Sequence, residues 1–199
     1  MYALVESGSI TKILKGNKGI KIGDNQYPAS IFTLWPESEK NAIGIYTVEI
    51  DSTNYKNTQW YINTNQTTAY DASSNKVKAT YGTATAKAHA DTLYTAQDET
   101  DGYGTEGDVK TEGLKTQLIR AVKVEAKQIL GETDWYIVRK ADTDEAVPSS
   151  IATHRAAVRT KQASMETAIT NASNTAALEA LYKRNDSGVR PLGDLPTLS

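Results

Sequence analysis

The sequence predicts an α+β fold in four parts. These are a small antiparallel β-rich domain over residues 1–82, an acidic glycine-containing linker over 83–112, a helical domain over 113–184 and an extended tail over 185–199. Three observations carry this reading. In the first 82 residues, short apolar runs alternate with Asn, Ser, Asp and Gly clusters, as in strands joined by turns. After Gly113, apolar residues recur every three or four positions, the period of one helix face. Charge also changes along the chain. Residues 86–112 hold seven acids and two bases, whereas the flanking parts are close to neutral.

Tyr2–Val5 and Ile10–Leu14 read as an N-terminal hairpin around Glu6-Ser7-Gly8-Ser9. Residues 19–23 alternate and turn at Asp24-Asn25, and an apolar run follows over Ile31–Trp35. Pro36 with Glu37 and Glu39 marks a helix start, because Pro suits the first turn and acids suit the positive end of the helix dipole. Gly44 stops that helix and Ile45–Ile50 is a strand. Gln59–Asn63, Thr67–Tyr70 and Val77–Tyr81 extend the β domain as an antiparallel meander. Residues 98–113 hold four glycines and six acids, a composition that predicts a mobile segment.

In the second half, Leu114, Leu118, Val122, Ala126 and Ile129/Leu130 share one helix face. Gly131 fits a left-handed position after that helix, and Thr133 or Asp134 fits an N-cap. Asp134–Ala141 is too short for periodicity to separate helix from strand. Pro148 opens another helix, whose stripe is Ile151, Val158, Met165 and Ile169. Asn174 or Thr175 caps a last helix carrying Leu178 and Leu181. Leu192, Leu195 and Leu198 of the tail are expected in grooves, on this protein or on a partner.

Composition narrows the functional classes. There is no cysteine, so disulfides and thiolate metal sites are ruled out, and two distant histidines argue against a His-based metal site. A net charge of −2 gives no basis for nucleic-acid binding. No apolar run is long enough for a bilayer, and the first residues lack a basic, then apolar, signal pattern. A soluble protein made in a cytoplasm, with no cofactor, is the expectation.

Several constellations invite chemistry. Asp98, Asp101, Glu106 and Asp108 suggest calcium, but the spacing does not fit an EF-hand loop, and a solvated linker is preferred. Gly16, Gly19 and Gly23 lack the Lys-Ser/Thr ending of a phosphate loop and read as turns. His154-Arg155 has no partner nucleophile at a telling spacing. Glu37, Glu39, Glu49 and Asp51 are the nearest acids for a glycan hydrolase, the least favoured reading. Tyr55, Trp60, Tyr61, Tyr70 and Tyr81 form a candidate aromatic face for a host-surface glycan, against the alternative of cross-strand packing. Trp135 is expected to be a buried anchor between helices, touching Leu130, Val138 and Ile151. Arg155 and Arg159, one turn apart, are placed to pair with acids such as Asp134 or with an acidic partner.

Thr133-Asp134-Trp135, the Pro148 helix start and the Arg155/Arg159 pair together resemble the tail assembly chaperone-like domain of tailed bacteriophages. The family pattern has an Asp-Trp after a helix, then a helix carrying Tyr-Arg and a second Arg four residues on. The resemblance covers about residues 113–183, and His154 stands where the family usually has Tyr. The N-terminal opening MYALVESGSITKIL looks like the front of virion proteins of marine tailed phages. The resemblance implies a phage tail protein without enzymatic activity, one that either stays in the virion or leaves after assembly. Its partners would be other phage tail or fibre proteins, bound during assembly or attachment.

Overall fold

The computed structural model describes residues 1–198 and divides into two compact units, Met1–Thr85 and Ala86–Ser199. In the first unit β1 (Tyr2–Glu6) and β2 (Ser9–Leu14) form the expected hairpin, turning at Ser7 and Gly8. A second hairpin, β3 (Ile20–Ile22) and β4 (Asn25–Tyr27), follows. The apolar run is a short helix, α1 (Ile31–Leu34), and α2 (Glu37–Ala42) begins after Pro36 with Glu37 and Glu39 in its first turn. Then come β5 (Ile45–Asp51), β6 (Tyr61–Ile62), β7 (Gln66–Asp71), β8 (Lys76–Tyr81) and, at the unit boundary, β9 (Thr85–Ala86).

The main sheet runs β2-β1-β5-β8-β7. It is not purely antiparallel, because β5 and β8 pair in parallel, Val48 opposite Val77 through Asp51 opposite Thr80. The reason is the order of arrival. The chain leaves β5 through a long connection, places β7 at the far edge, and returns through the β7–β8 hairpin into the gap. Such a pairing is set by residues far apart in sequence, so local alternation cannot report it. The interior strand β1 is apolar on both faces, with Ala3 and Leu4 buried.

One face of the sheet buries Leu4, Ile31, Phe32 and Ile45 with Ile20, flanked by Tyr2, Leu14, Tyr27 and Trp35. The other face packs Ala3, Val48, Val77 and Ala79 with Ile10 of β2 and Tyr70 of β7. Small residues at the centre let the sheet curl, so its two edge strands approach each other. Gly44 joins α2 to β5 at φ +81, and a Cβ there would sit 2.6 Å from the Val5 carbonyl oxygen. Only glycine meets both demands without strain.

In the second unit the acidic stretch is not an extended linker. β10 (Thr92–Leu93) and β11 (Val109–Thr111) form a hairpin around α3 (Ala96–Thr100). Thr95 and Asp98 close a reciprocal capping box on α3, and Lys110 reaches the Asp98 carboxylate at 2.6 Å. Thus one acid is spent on a cap and an ion pair, Gly102 and Gly107 take left-handed turn positions, and Gly104 lets the chain pass close to the Tyr94 ring. The domain boundary lies at residue 85, and residues 86–112 pack with the helices.

The helices are α4 (Leu114–Gly131), α5 (Asp134–Thr143), α6 (Ser149–Asn171) and α7 (Thr175–Tyr182). α4 buries Leu114, Val122 and Ala126 against α6, which buries Ile151, Val158, Met165 and Ile169. The N-cap of α4 is Gly113, which has no side chain to offer. Residues 88–91 supply the cap from a distance: Leu114 N and Lys115 N donate to Ala88 O and His89 O at 2.9 and 3.0 Å, and Asp91 accepts from Gly113 N at 2.7 Å and Thr116 Oγ1 at 2.8 Å. The bonds to Asp91 hold its carboxyl below the usual range, the Gly113 amide first. A Cβ on Gly113 would lie 2.3 Å from the Ala90 backbone, so the close approach of residues 88–91 depends on glycine. Asn174 caps α7 as expected, accepting from Ala177 N at 2.9 Å.

Residues 185–198 dock and are not a free tail. Leu192 and Leu195 are buried, while Leu198 is exposed. Leu192 N donates to Leu181 O at 3.0 Å, and Lys161 Nζ donates to Leu192 O at 2.8 Å. Arg184 and Arg190 both reach Asp194, at 3.0 and 2.9 Å.

Candidate functional site

Three of the residues singled out by sequence meet at the turn between α4 and α5. A helix end leaves its last carbonyls unpaired and partially negative, so a cation there is favourable. Arg155, projecting from α6, supplies it. Its Nη1 donates to Leu130 O at 2.6 Å and to Thr133 Oγ1 at 2.7 Å, and its Nη2 meets Asp134 Oδ1 at 2.9 Å. Thr133 Oγ1 in turn donates to Leu130 O at 3.0 Å. Asp134 lies in the first turn of α5, where an anion suits the dipole. One guanidinium therefore ties the negative end of α4 to the acidic start of α5, using the fork geometry that Lys lacks. Arg155 and Thr133 are buried, and the Asp134 side chain is 61% exposed.

Local details depart from the expectations. Gly131 stays in α4 and is not left-handed. Thr133 occupies the N-cap of α5 but makes no side-chain cap bond, because its hydroxyl is committed to Leu130 and Arg155. Pro148 is the N-cap residue of α6, one position before the helix. Arg159 is exposed, and among the described residues it makes no ion pair. His154 Nε2 is buried without a hydrogen-bond partner among the described residues.

Trp135 is not a buried anchor. Its side chain is 62% exposed, with the Arg139 guanidinium 5.7 Å from its ring. The turn is closed by Arg155, which leaves the outward ring of the adjacent α5 residue uncovered. Val138, expected beside it in the core, is also exposed.

The aromatic residues of the β domain do not form one face. Trp60 and Tyr61 are buried, and Lys56 lies 4.5 Å over the Tyr61 ring. Tyr55 packs at a tilt against Tyr81, ring centres 5.0 Å apart. Tyr70 packs on Tyr46 at 5.1 Å, and both hydroxyls donate to Asn75 Oδ1. These are packing pairs, and they leave no flat aromatic platform built from all five rings. Among the acids weighed for glycan hydrolysis, Glu49 pairs with Lys76 at 2.7 Å. The Asp51 carboxyl is held below its usual range by the Thr53 hydroxyl and amide, the opposite of what a general acid needs. Among the described residues no group of three or more His, Asp or Glu is placed to hold a metal ion. No helix of the described residues is long and apolar enough to cross a membrane.

No family model, curated protein or solved structure matches the chain. Its chemistry rests on its own residues.

Sequence reasoning missed two features of the helical unit. One is the remote Asp91 cap of α4, whose partner is 22 residues away and leaves no local mark. The other is α3, which did leave a mark, because Thr95-Ala96-Gln97-Asp98 is a capping-box pattern.

Proposed function

We propose that this chain is a non-enzymatic protein of a bacteriophage tail. It acts in tail or fibre assembly and attachment and binds virion partners through both halves. The observation that carries the reading is the Arg155 node. Thr133, Asp134 and Arg155, residues of the signature resembling the tail assembly chaperone-like domain, are joined by direct hydrogen bonds. In such a node the signature acts as a structural lock that presents α5, with Trp135, on the surface. That suits a protein working by contact. The burial of Trp60 and Tyr61 removes the centre of the aromatic glycan face, so contact with proteins is favoured over contact with sugars.

Quantitative mass spectrometry of purified virions and infected-cell lysate tests this. Stoichiometric presence in particles marks a structural component. Presence only in lysate, in complex with a tail or fibre protein, marks an assembly chaperone. Detection in lysate with neither particle nor tail-protein association overturns the proposal.

A further inference from the structure

The helix α5 has no buried residue, although it contains Trp, Tyr, Ile and Val. Trp135 and Val138 are 62% and 61% exposed, and Ile137 is exposed as well. At 3.6 residues per turn, Ile137, Ala141, Val138 and Trp135 fall on one arc, interleaved with Asp134 and Asp142. The half-buried residues Tyr136 and Arg139 lie on the opposite arc. The apolar side of the helix thus faces outward, the reverse of an ordinary surface helix. A helix this short is marginal alone in water, and a contiguous exposed apolar stripe marks a contact surface.

Charge identifies the occupant. Residues 132–145 carry five acids against Arg139 and Lys140; Asp134 is held by Arg155 and Glu145 by Arg139, which leaves Glu132, Asp142 and Asp144 in no ion pair among the described residues. The preceding helix α4 has the opposite balance, with Lys115, Arg120, Lys123 and Lys127 against Glu125. Its outer face presents the exposed Val124 beside Lys127, with Arg120 paired to Glu112 and Lys123 to Glu166. One chain therefore carries an apolar stripe edged by Glu132, Asp142 and Asp144 and, on the preceding helix, an exposed Val124 beside Lys127, unpaired among the described residues, the two helices joined by Glu132 and Thr133. We propose that a second copy of this chain covers α5. The contact is two-fold symmetric, with α5 of each copy lying on the outer face of α4 of the other. An isologous contact uses both complementary surfaces twice and closes on itself. Pairing α5 with its own copy antiparallel about Val138 would instead set Asp134 beside Asp142, two acids. The apolar centre holds the pair, and the charged rims set its register. This inference is independent of the tail-protein reading.

Sedimentation velocity of the full chain across the micromolar range tests it. The expected result is a concentration-dependent dimer that weakens as salt rises. Val138→Asp weakens dimerisation by about tenfold or more, a loss typical of a central interface residue. The variant keeps the far-UV circular dichroism of the parent, because the side chain it replaces is exposed. Lys127→Glu also weakens the dimer, and adding Asp142→Lys restores it. A monomer throughout the range overturns the proposal. So does a dimer unaffected by Val138→Asp, or a folded Lys127→Glu variant that Asp142→Lys does not rescue.

Discussion

Replacing Arg155 with Ala tests whether the node holds the helical unit together. The guanidinium serves Leu130 O, Thr133 Oγ1 and Asp134 Oδ1 at 2.6, 2.7 and 2.9 Å. Hydrogen bonds to a charged group are worth about 1.5–3 kcal/mol each when made. The Asp134 contact adds at most about 1 kcal/mol, since that carboxylate is largely in water. These terms do not add fully, and the loss expected for Arg155→Ala is about 3–5 kcal/mol. That is a large part of a typical total of about 5–15 kcal/mol. Thr133→Val should cost about 1–3 kcal/mol, because it removes a buried hydroxyl that both donates and accepts. Asp134→Asn should cost less than about 1 kcal/mol. Arg155→Lys should recover only part of the loss, because an ammonium cannot reproduce the fork. Urea unfolding followed by far-UV circular dichroism gives the ranking, and hydrogen exchange in the last turn of α4 localises it. An Arg155→Ala variant within about 1 kcal/mol of the parent refutes the reasoning. Equal losses for Asp134→Asn and Arg155→Ala would do the same, because the exposed ion pair would then be the dominant contact.

Trp135→Ala should change stability by no more than about 0.5 kcal/mol in dilute protein, because the ring is solvent-exposed, and a urea titration checks it. Leu195→Ala should cost about 2–5 kcal/mol through lost burial and a cavity, and limited proteolysis should then cut within residues 185–198 before any other site of the helical unit. The Asp98 carboxyl is pulled down to about 2, first by its hydrogen bond to Lys110 and then by the Thr95 amide and hydroxyl. A carboxyl depressed in the folded state stabilises above its unfolded value of about 4 and loses that contribution as pH falls toward 2. Amide protection at Thr95 and across β10–β11, taken relative to the intrinsic exchange rate at each pH, should therefore fall between pH 4 and 2, and Asp98→Asn should flatten that dependence.

The parts of the fold legible in the sequence are those governed by near neighbours. The period of Leu114, Val122 and Ala126 gave one core face of α4, and Ile151, Val158, Met165 and Ile169 gave that of α6. The Asn174 cap was equally local. Asp134 could be offered as one acid for Arg155 on opposite charge alone, whereas the bonds of Arg155 to Leu130 and Thr133 depend on how α6 crosses α4. Trp135 misled for a physical reason. Hydrophobic transfer predicts burial of a large ring only when some surface is there to receive it, and within this unit the outer side of α5 faces none. The acidic stretch misled because composition sums charge without asking what each acid binds. Asp91 and Asp98 each help cap a helix, Asp101 and Glu99 accept hydrogen bonds and Glu112 pairs with Arg120, so five of its seven acids are engaged in local structure.

The curl of the main sheet has a consequence for how this unit can meet other chains. An open sheet presents two rows of unsatisfied amides and carbonyls, and any extended segment can add to them as a further strand. Here the edge strands β2 and β7 turn toward each other around Ala3 and Ala79, with Ile10 and Tyr70 packed between the two sides. Each edge hinders an incoming strand from approaching the other. Widening that centre, as with Ala79→Val, would press the edges apart and open the molecule to strand addition and aggregation. The two small residues thus let the edges approach each other, which makes strand addition at either edge harder.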